Sequence, residues 1–313
     1  MTVAILPNKV VTEMAKREHR MQHLLWHGVR NSWERMTSKQ KQEIRNIDLA
    51  WEPPRPALNS NGSVLRDNDS GEDFFYMHRQ MIAHVNSLLA QVNDLAYPKI
   101  EGWKNVPPPG DTDYPVPTLP GLESVKSDEF YTNTMLPWEK KYTDTNYLKS
   151  VTLGQLGADL EFTIHNNMHM RWAAPSQVGY RPSTSLTKPV DVKWDDPAYD
   201  YLGDTYSSHV NPIFWKLHGW VDDRIEDWIK ANGITGPIQW KGTWEGPMEH
   251  GHHDQHRATT ALTPSQNKID KLEALAQVIA DAAVFDGLFK SAQIAPPFLK
   301  SAPVVVELKN PIT

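Results

Sequence analysis

Apolar residues recur at three- and four-residue intervals along much of the chain, the spacing that lays one face of an α-helix against a core. The pattern predicts helices over 11–36, 72–95, 141–172, 211–232 and 264–290, with a shorter one after a Thr37 or Ser38 cap. Between them lie stretches without periodicity. Residues 52–72 are rich in Pro, Asn, Ser and Gly, 105–138 are Pro-rich and acidic, and 173–210 and 233–262 are irregular. The reading is a mainly α protein, a helical bundle with long irregular Pro-rich loops. A structureless loop as long as 105–138 is expected to serve a purpose, here to frame a pocket. No internal repeat is present, and the helix stop at Asn232-Gly233 sets off a C-terminal extension, 233–313, from a bundle, 1–232.

Composition narrows this picture. Twelve Trp, ten Tyr and eight Phe supply a large core. The net charge of −6 is spread over both signs, so no basic footprint for nucleic acid exists. Cysteine is absent, which excludes disulfides and thiolate sites and leaves His and carboxylates as the metal ligands. No apolar run reaches the roughly 18 residues of a membrane span, and residues 1–11 are too short and too broken by Pro7 and Asn8 for a secretory signal. A soluble, cytoplasmic protein is expected.

Candidate chemistry lies in the histidines. His165 and His169 are four apart and leave one face of a helix, half of a site for a transition metal. His218 sits just inside a helix that begins at Asn211-Pro212. His78 lies on the 72–95 helix, and His19, His23 and His27 follow one another at four-residue steps on 11–36. His19 has the charged neighbours of a solvated face. His84, six residues after His78, points elsewhere and is not expected to share its metal. His209 stands just outside a helix start, where its role is open, and His250, His252, His253 and His256 read as part of a flexible loop.

Two segments resemble the tyrosinase and type-3 copper family. His165-Asn166 with His169, then Asn211-Pro212-Ile213-Phe214 with His218 and Val221-Asp222, are similar to that family's second copper site. Asn211 replaces its usual Asp, Leu217 sits where many members have the first His of a pair, and an extra Asp precedes Arg224. Phe74-Phe75-Tyr76-Met77-His78-Arg79 resembles the end of its first site, with Met77 in place of Trp. The two earlier ligands of that site have no counterpart at the family's positions. Either the first site is degenerate, or His23 and His27 complete it, a pattern similar to haemocyanin-type helices.

The resemblance implies a helical bundle holding a dicopper centre, with His23, His27 and His78 on one copper and His165, His169 and His218 on the other. It implies dioxygen-dependent oxidation of a small phenol to an o-quinone, or of an o-aminophenol to a quinone imine; a natural-product or peptide phenol is a further substrate class. It also implies that Glu161 and Asn166 act as the pair orienting a water beside the second copper. Asp222 and Arg224 are candidates for holding the ligands in place, or else a plain salt bridge. The rival is a non-catalytic or mononuclear relative with one copper or none. In some relatives a C-terminal segment plugs the site, a role open to 233–313.

Overall fold

A computed structural model describes residues 6–47, 51–176, 190–246 and 266–280. They form α1 (Asn8–Met14), α2 (Arg17–Ser32), α3 (Ser38–Arg45), α4 (Ser70–Val92), α5 (Glu123–Lys126), α6 (Asp128–Phe130), α7 (Leu136–Thr143), α8 (Thr145–Ser150), α9 (Leu153–Leu160), α10 (Asn166–Trp172), α11 (Pro212–Ala231) and α12 (Gln266–Ala280). The protein is mainly helical, and the only β pairing among the described residues is an isolated bridge between Leu58 and Val64.

Several predicted helices are cut where a side chain takes over a backbone bond. The 11–36 stretch breaks at Ala15 and Lys16, where the buried Arg20 guanidinium donates to the Ala15 carbonyl at 2.8 Å. The 141–172 stretch breaks twice. Asp144 accepts from the Tyr147 N–H and starts α8, and Thr152 forms a capping box with Gln155 and starts α9. Thr37 caps α3 in the same manner, and Asn211 caps α11 with Pro212 in its first turn. The 105–138 stretch is not loop throughout: from Glu123 it is helical, with Ser127 capping α6.

Between α9 and α10, residues Glu161–His165 form a π-helical turn within one continuous rod from Leu153 to Trp172. The first half of that rod lies against α4 at backbone distance. A Cβ on Gly71 would stand 2.1 Å from the Ala158 nitrogen, and one on Gly157 would stand 2.2 Å from the Gly71 carbonyl oxygen. Only glycine allows this approach, and it brings the helix of His78 against the helix of His165.

α11 packs against α4, α8 and α10, and an Arg79–Asp222 ion pair at 2.7 Å ties it to α4. The described part of 233–313 shares the main core. Trp244 stacks on Trp26 with ring centroids 5.8 Å apart, and Leu272, Leu275 and Ile279 of α12 are buried against α2 and α3. Arg17 of α2 donates to Glu273 of α12 at 2.8 Å. No helix among the described residues is long and apolar enough to cross a membrane.

Candidate metal centre

Four helices and two turns bring seven imidazoles together. α2 supplies His23 and His27 from successive turns, α4 supplies His78, and the π turn and α10 supply His165 and His169. α11 supplies His218, and a 3-10 turn over Ser208–Val210 supplies His209. None is more than 8 % exposed. Ring centroids lie 5.0 Å apart for His23 and His27, 5.6 Å for His27 and His78, and 4.4 Å for His78 and His218, whose planes are stacked. His165 is 5.0 Å from His218 and 4.7 Å from His169.

Two trios have ligand atoms within 4.8 Å of one another: His23, His27 and His78, and His78, His165 and His218. They share His78. His169 stands beside the second trio, 5.2 Å from His218 between ring centroids.

Four of the rings are oriented through Nδ1 by backbone or side-chain oxygens. His78 donates to the Phe74 carbonyl at 2.8 Å, His218 to Phe214 at 2.9 Å and His169 to Leu202 at 2.9 Å. Nδ1 of His165 lies 3.3 Å from the Glu161 carbonyl and 3.1 Å from the Asn166 side-chain oxygen. With these protons on Nδ1, each Nε2 carries a lone pair. Nε2 of His23 and Nε2 of His78 are buried without a hydrogen-bond partner.

Nε2 of His165 faces Nε2 of His218 at 3.1 Å. Two lone pairs held that close repel, and a cation bound to both relieves the repulsion. Metal–nitrogen bonds of about 2.0–2.1 Å at angles between 90° and tetrahedral set two nitrogens about 2.9–3.4 Å apart, so the observed spacing fits two ligands of one ion.

Electrostatics keep the imidazoles in their ligand form. Burial lowers the pKa of all seven, most of them helped by neighbouring rings, with His23 pushed down to about 3 and His169 to about 4. Phe214 stacks on His218 at 3.7 Å, and Phe74 lies 4.6 Å from His78 and 4.8 Å from His165, so the walls are apolar. Buried neutral imidazoles with free Nε2 atoms are the donor set of a transition-metal site, and that set does not itself single out copper.

The candidate pair beside the cluster is placed as follows. Glu161 is buried and accepts from the Arg30 guanidinium at 2.6 Å, and the same carboxyl oxygen lies 3.9 Å from His27 Nδ1. Its other oxygen, Oε2, is buried with no partner, and burial raises the carboxyl pKa against the pull of Arg30. Asn166 is occupied by the His165 ring. Asp222 and Arg224 touch no histidine: Asp222 pairs with Arg79, and Arg224 pairs with Asp227 at 2.9 Å, so both are salt bridges.

The 109–128 stretch lines a cavity of about 860 Å3 that none of the seven histidines borders. A cavity of about 170 Å3 does reach the cluster, at His23. His84 keeps away from the His78 trio, as its helical position predicts, and lies beside His19, which is part-buried rather than on a solvated face. His250, His252, His253 and His256 lie outside the described residues. His209 is the residue that spacing could not place. Its sequence signal was only its closeness to the α11 cap, and its contact with His23 crosses 186 positions of the chain.

No protein-family model matches this chain, and no curated protein matches it. The geometry of the cluster therefore carries the functional reading.

Proposed function

We propose that the chain is a copper-dependent oxidoreductase of the type-3 copper kind, which uses dioxygen to oxidise a small phenol to an o-quinone. The observation that carries this reading is the pair of buried histidine trios, joined at His78, whose ligand nitrogens lie within 4.8 Å of one another, with Nε2 of His23 and of His78 unpartnered and Nε2 of His165 facing that of His218. One ion would be held by His23, His27 and His78, and the other by His165, His169 and His218. Copper in such a neutral nitrogen shell supplies one-electron chemistry between its +1 and +2 states and affinity for dioxygen.

The chain's own residues do the rest. Carbonyls of Phe74, Phe214 and Leu202 fix ring orientation, and the Phe74 and Phe214 rings pack against His165 and His218. Asn166 holds His165. Glu161 offers the unpaired Oε2 as the acceptor for the proton of a phenol, directly or through a water, and its raised pKa suits that task. The balance is one phenol and one dioxygen giving one o-quinone and one water.

The sharing of His78 supports a second reading, a single-ion site that serves as a carrier or a mononuclear oxidase. Copper loading of the full chain separates the two. About two coppers per chain, with a near-ultraviolet band on adding hydrogen peroxide and oxidation of a catechol probe, is the expected result. A single copper per chain overturns the dinuclear reading.

A further inference from the structure

A second group of ligands lies outside the cluster. Glu13 of α1, His19 of α2 and His84 of α4 place one ligand atom each within 4.8 Å of the others. Nε2 of His19 is 3.6 Å from Glu13 Oε1, and the His19 and His84 rings are 5.2 Å apart. All three residues are part-buried, so an ion arriving from solvent meets them before it meets the more deeply buried cluster. Nε2 of His84 is buried and has no hydrogen-bond partner. No helix turn or loop puts these residues together; three separate helices converge to do so.

The cavity of about 170 Å3 connects the two groups. It is lined by His19 and His84, by Met14, Met77 and Met81, and by His23 of the cluster. Ligand pockets for organic molecules run to about 300–1,000 Å3, so this one suits an ion and a few waters. On α2, His19 precedes His23 by four residues, about 6 Å along the helix axis, and Nε2 of His23 is itself free.

We infer that Glu13, His19 and His84 form an outer metal site that takes a first-row divalent cation of the imidazole-preferring class and stages it for the buried cluster. Two imidazoles and one carboxylate leave a coordination position to water, the open arrangement from which an ion exchanges readily. The Lys16 ammonium lies 2.7 Å from Glu13 on a side chain that is 42 % exposed, so it can swing into solvent when a cation takes its place. The staging role rests on the cluster being a metal centre; the outer site does not.

The test is metal counting on the full apo chain with Zn2+ as probe, followed by the rate of Cu2+ uptake. With two ions in the cluster, the unaltered chain binds about three zinc ions, and His84→Ala and Glu13→Gln bind one fewer. If the cluster takes no metal, the unaltered chain binds one and the variants none, which supports the outer site and overturns the reading of the cluster. Equal counts in the unaltered chain and in both variants overturn the outer site. For staging, Cu2+ uptake by the cluster is expected to slow by at least ~10-fold in both variants with the final cluster copper unchanged; an unchanged rate overturns it. Glu13→Gln is nearly isosteric and partly exposed, so it reports even if His84→Ala perturbs folding.

Discussion

His209 turns its Nδ1 to the Nδ1 of His23 at 3.2 Å while its Nε2 donates to the Met14 carbonyl at 3.0 Å. With its proton committed to Met14, His209 can only accept at Nδ1, and with the Thr205 backbone it offers the His23 Nδ1 proton an acceptor, which leaves the His23 Nε2 lone pair free. His209 thus helps, with the Thr205 backbone, to set the tautomer of a cluster histidine. His209→Ala is expected to weaken metal binding at the His23 trio by about 10–100-fold, read by competition with a chelator of known affinity. Affinity within twofold of the unaltered chain would falsify the tautomer argument.

Glu161 and Arg30 are both buried, and each is the other's ion-pair partner. Arg30 also donates to the Ser70 carbonyl at 2.6 Å and lies over the Trp26 ring, so it cannot follow a lost partner into water. Glu161→Ala is expected to destabilise the fold by about 3–5 kcal/mol, because it leaves an uncompensated buried charge. Chemical denaturation of the metal-free protein measures this, and a loss below about 1 kcal/mol would show that Arg30 finds another partner.

The seven cluster imidazoles are neutral when folded and free to protonate near their ordinary value of 6.5 when unfolded. Between 6.5 and the lowered folded values the unfolded chain binds more protons, so stability rises with pH and is lost as pH falls. Each such imidazole contributes about 1.4 kcal/mol per pH unit. Glu161 and the other carboxyls that burial raises, Glu72, Asp73, Glu139, Asp200, Asp223 and Glu245, have the opposite sign: they favour the fold as pH drops from their folded values toward the ordinary carboxylate range, and so offset part of the imidazole effect. The metal-free protein should therefore lose stability steeply below about pH 6.5, which denaturant midpoints at pH 7.5, 6.5 and 5.5 will show; flat midpoints would mean that the rings are charged in the folded state.

Gly71 and Gly157 hold α4 and α9 at a distance that no side chain tolerates. Gly157→Ala is expected to cost about 1–3 kcal/mol through overpacking against backbone and to separate His78 from His165, lowering metal content along with melting temperature. An alanine variant that keeps both would mean that the helices can part without moving the ligands.

The helices and the histidines were legible in the sequence to different degrees. Periodicity located α4 and α11 to within a few residues, because each buries one long apolar face and carries its own cap signals. The breaks at Ala15, Asp144 and Val151 were not legible, since they depend on Arg20 reaching a carbonyl and on which Asp or Thr wins as a cap. Local spacing paired His165 with His169 and His23 with His27. The trios across helices, the sharing of His78 and the part played by His209 depend on contacts between distant segments, which spacing does not encode. Arg79 and Asp222 show the same limit: both stood in recognisable motifs, yet their bond to each other joins α4 to α11 and leaves the ligands alone.

The π turn at Glu161–His165 gives one rod two phases. A residue inserted into a helix rotates everything beyond it by about 100°, and here that offset separates a half facing α4 with Gly154 and Gly157 from a half presenting His165 and His169. Scaffold and chemistry can then vary independently on the same helix, each keeping its own angular frame. Deleting one residue from this turn would merge the frames and aim the two imidazoles away from His218 while leaving the composition of the site intact.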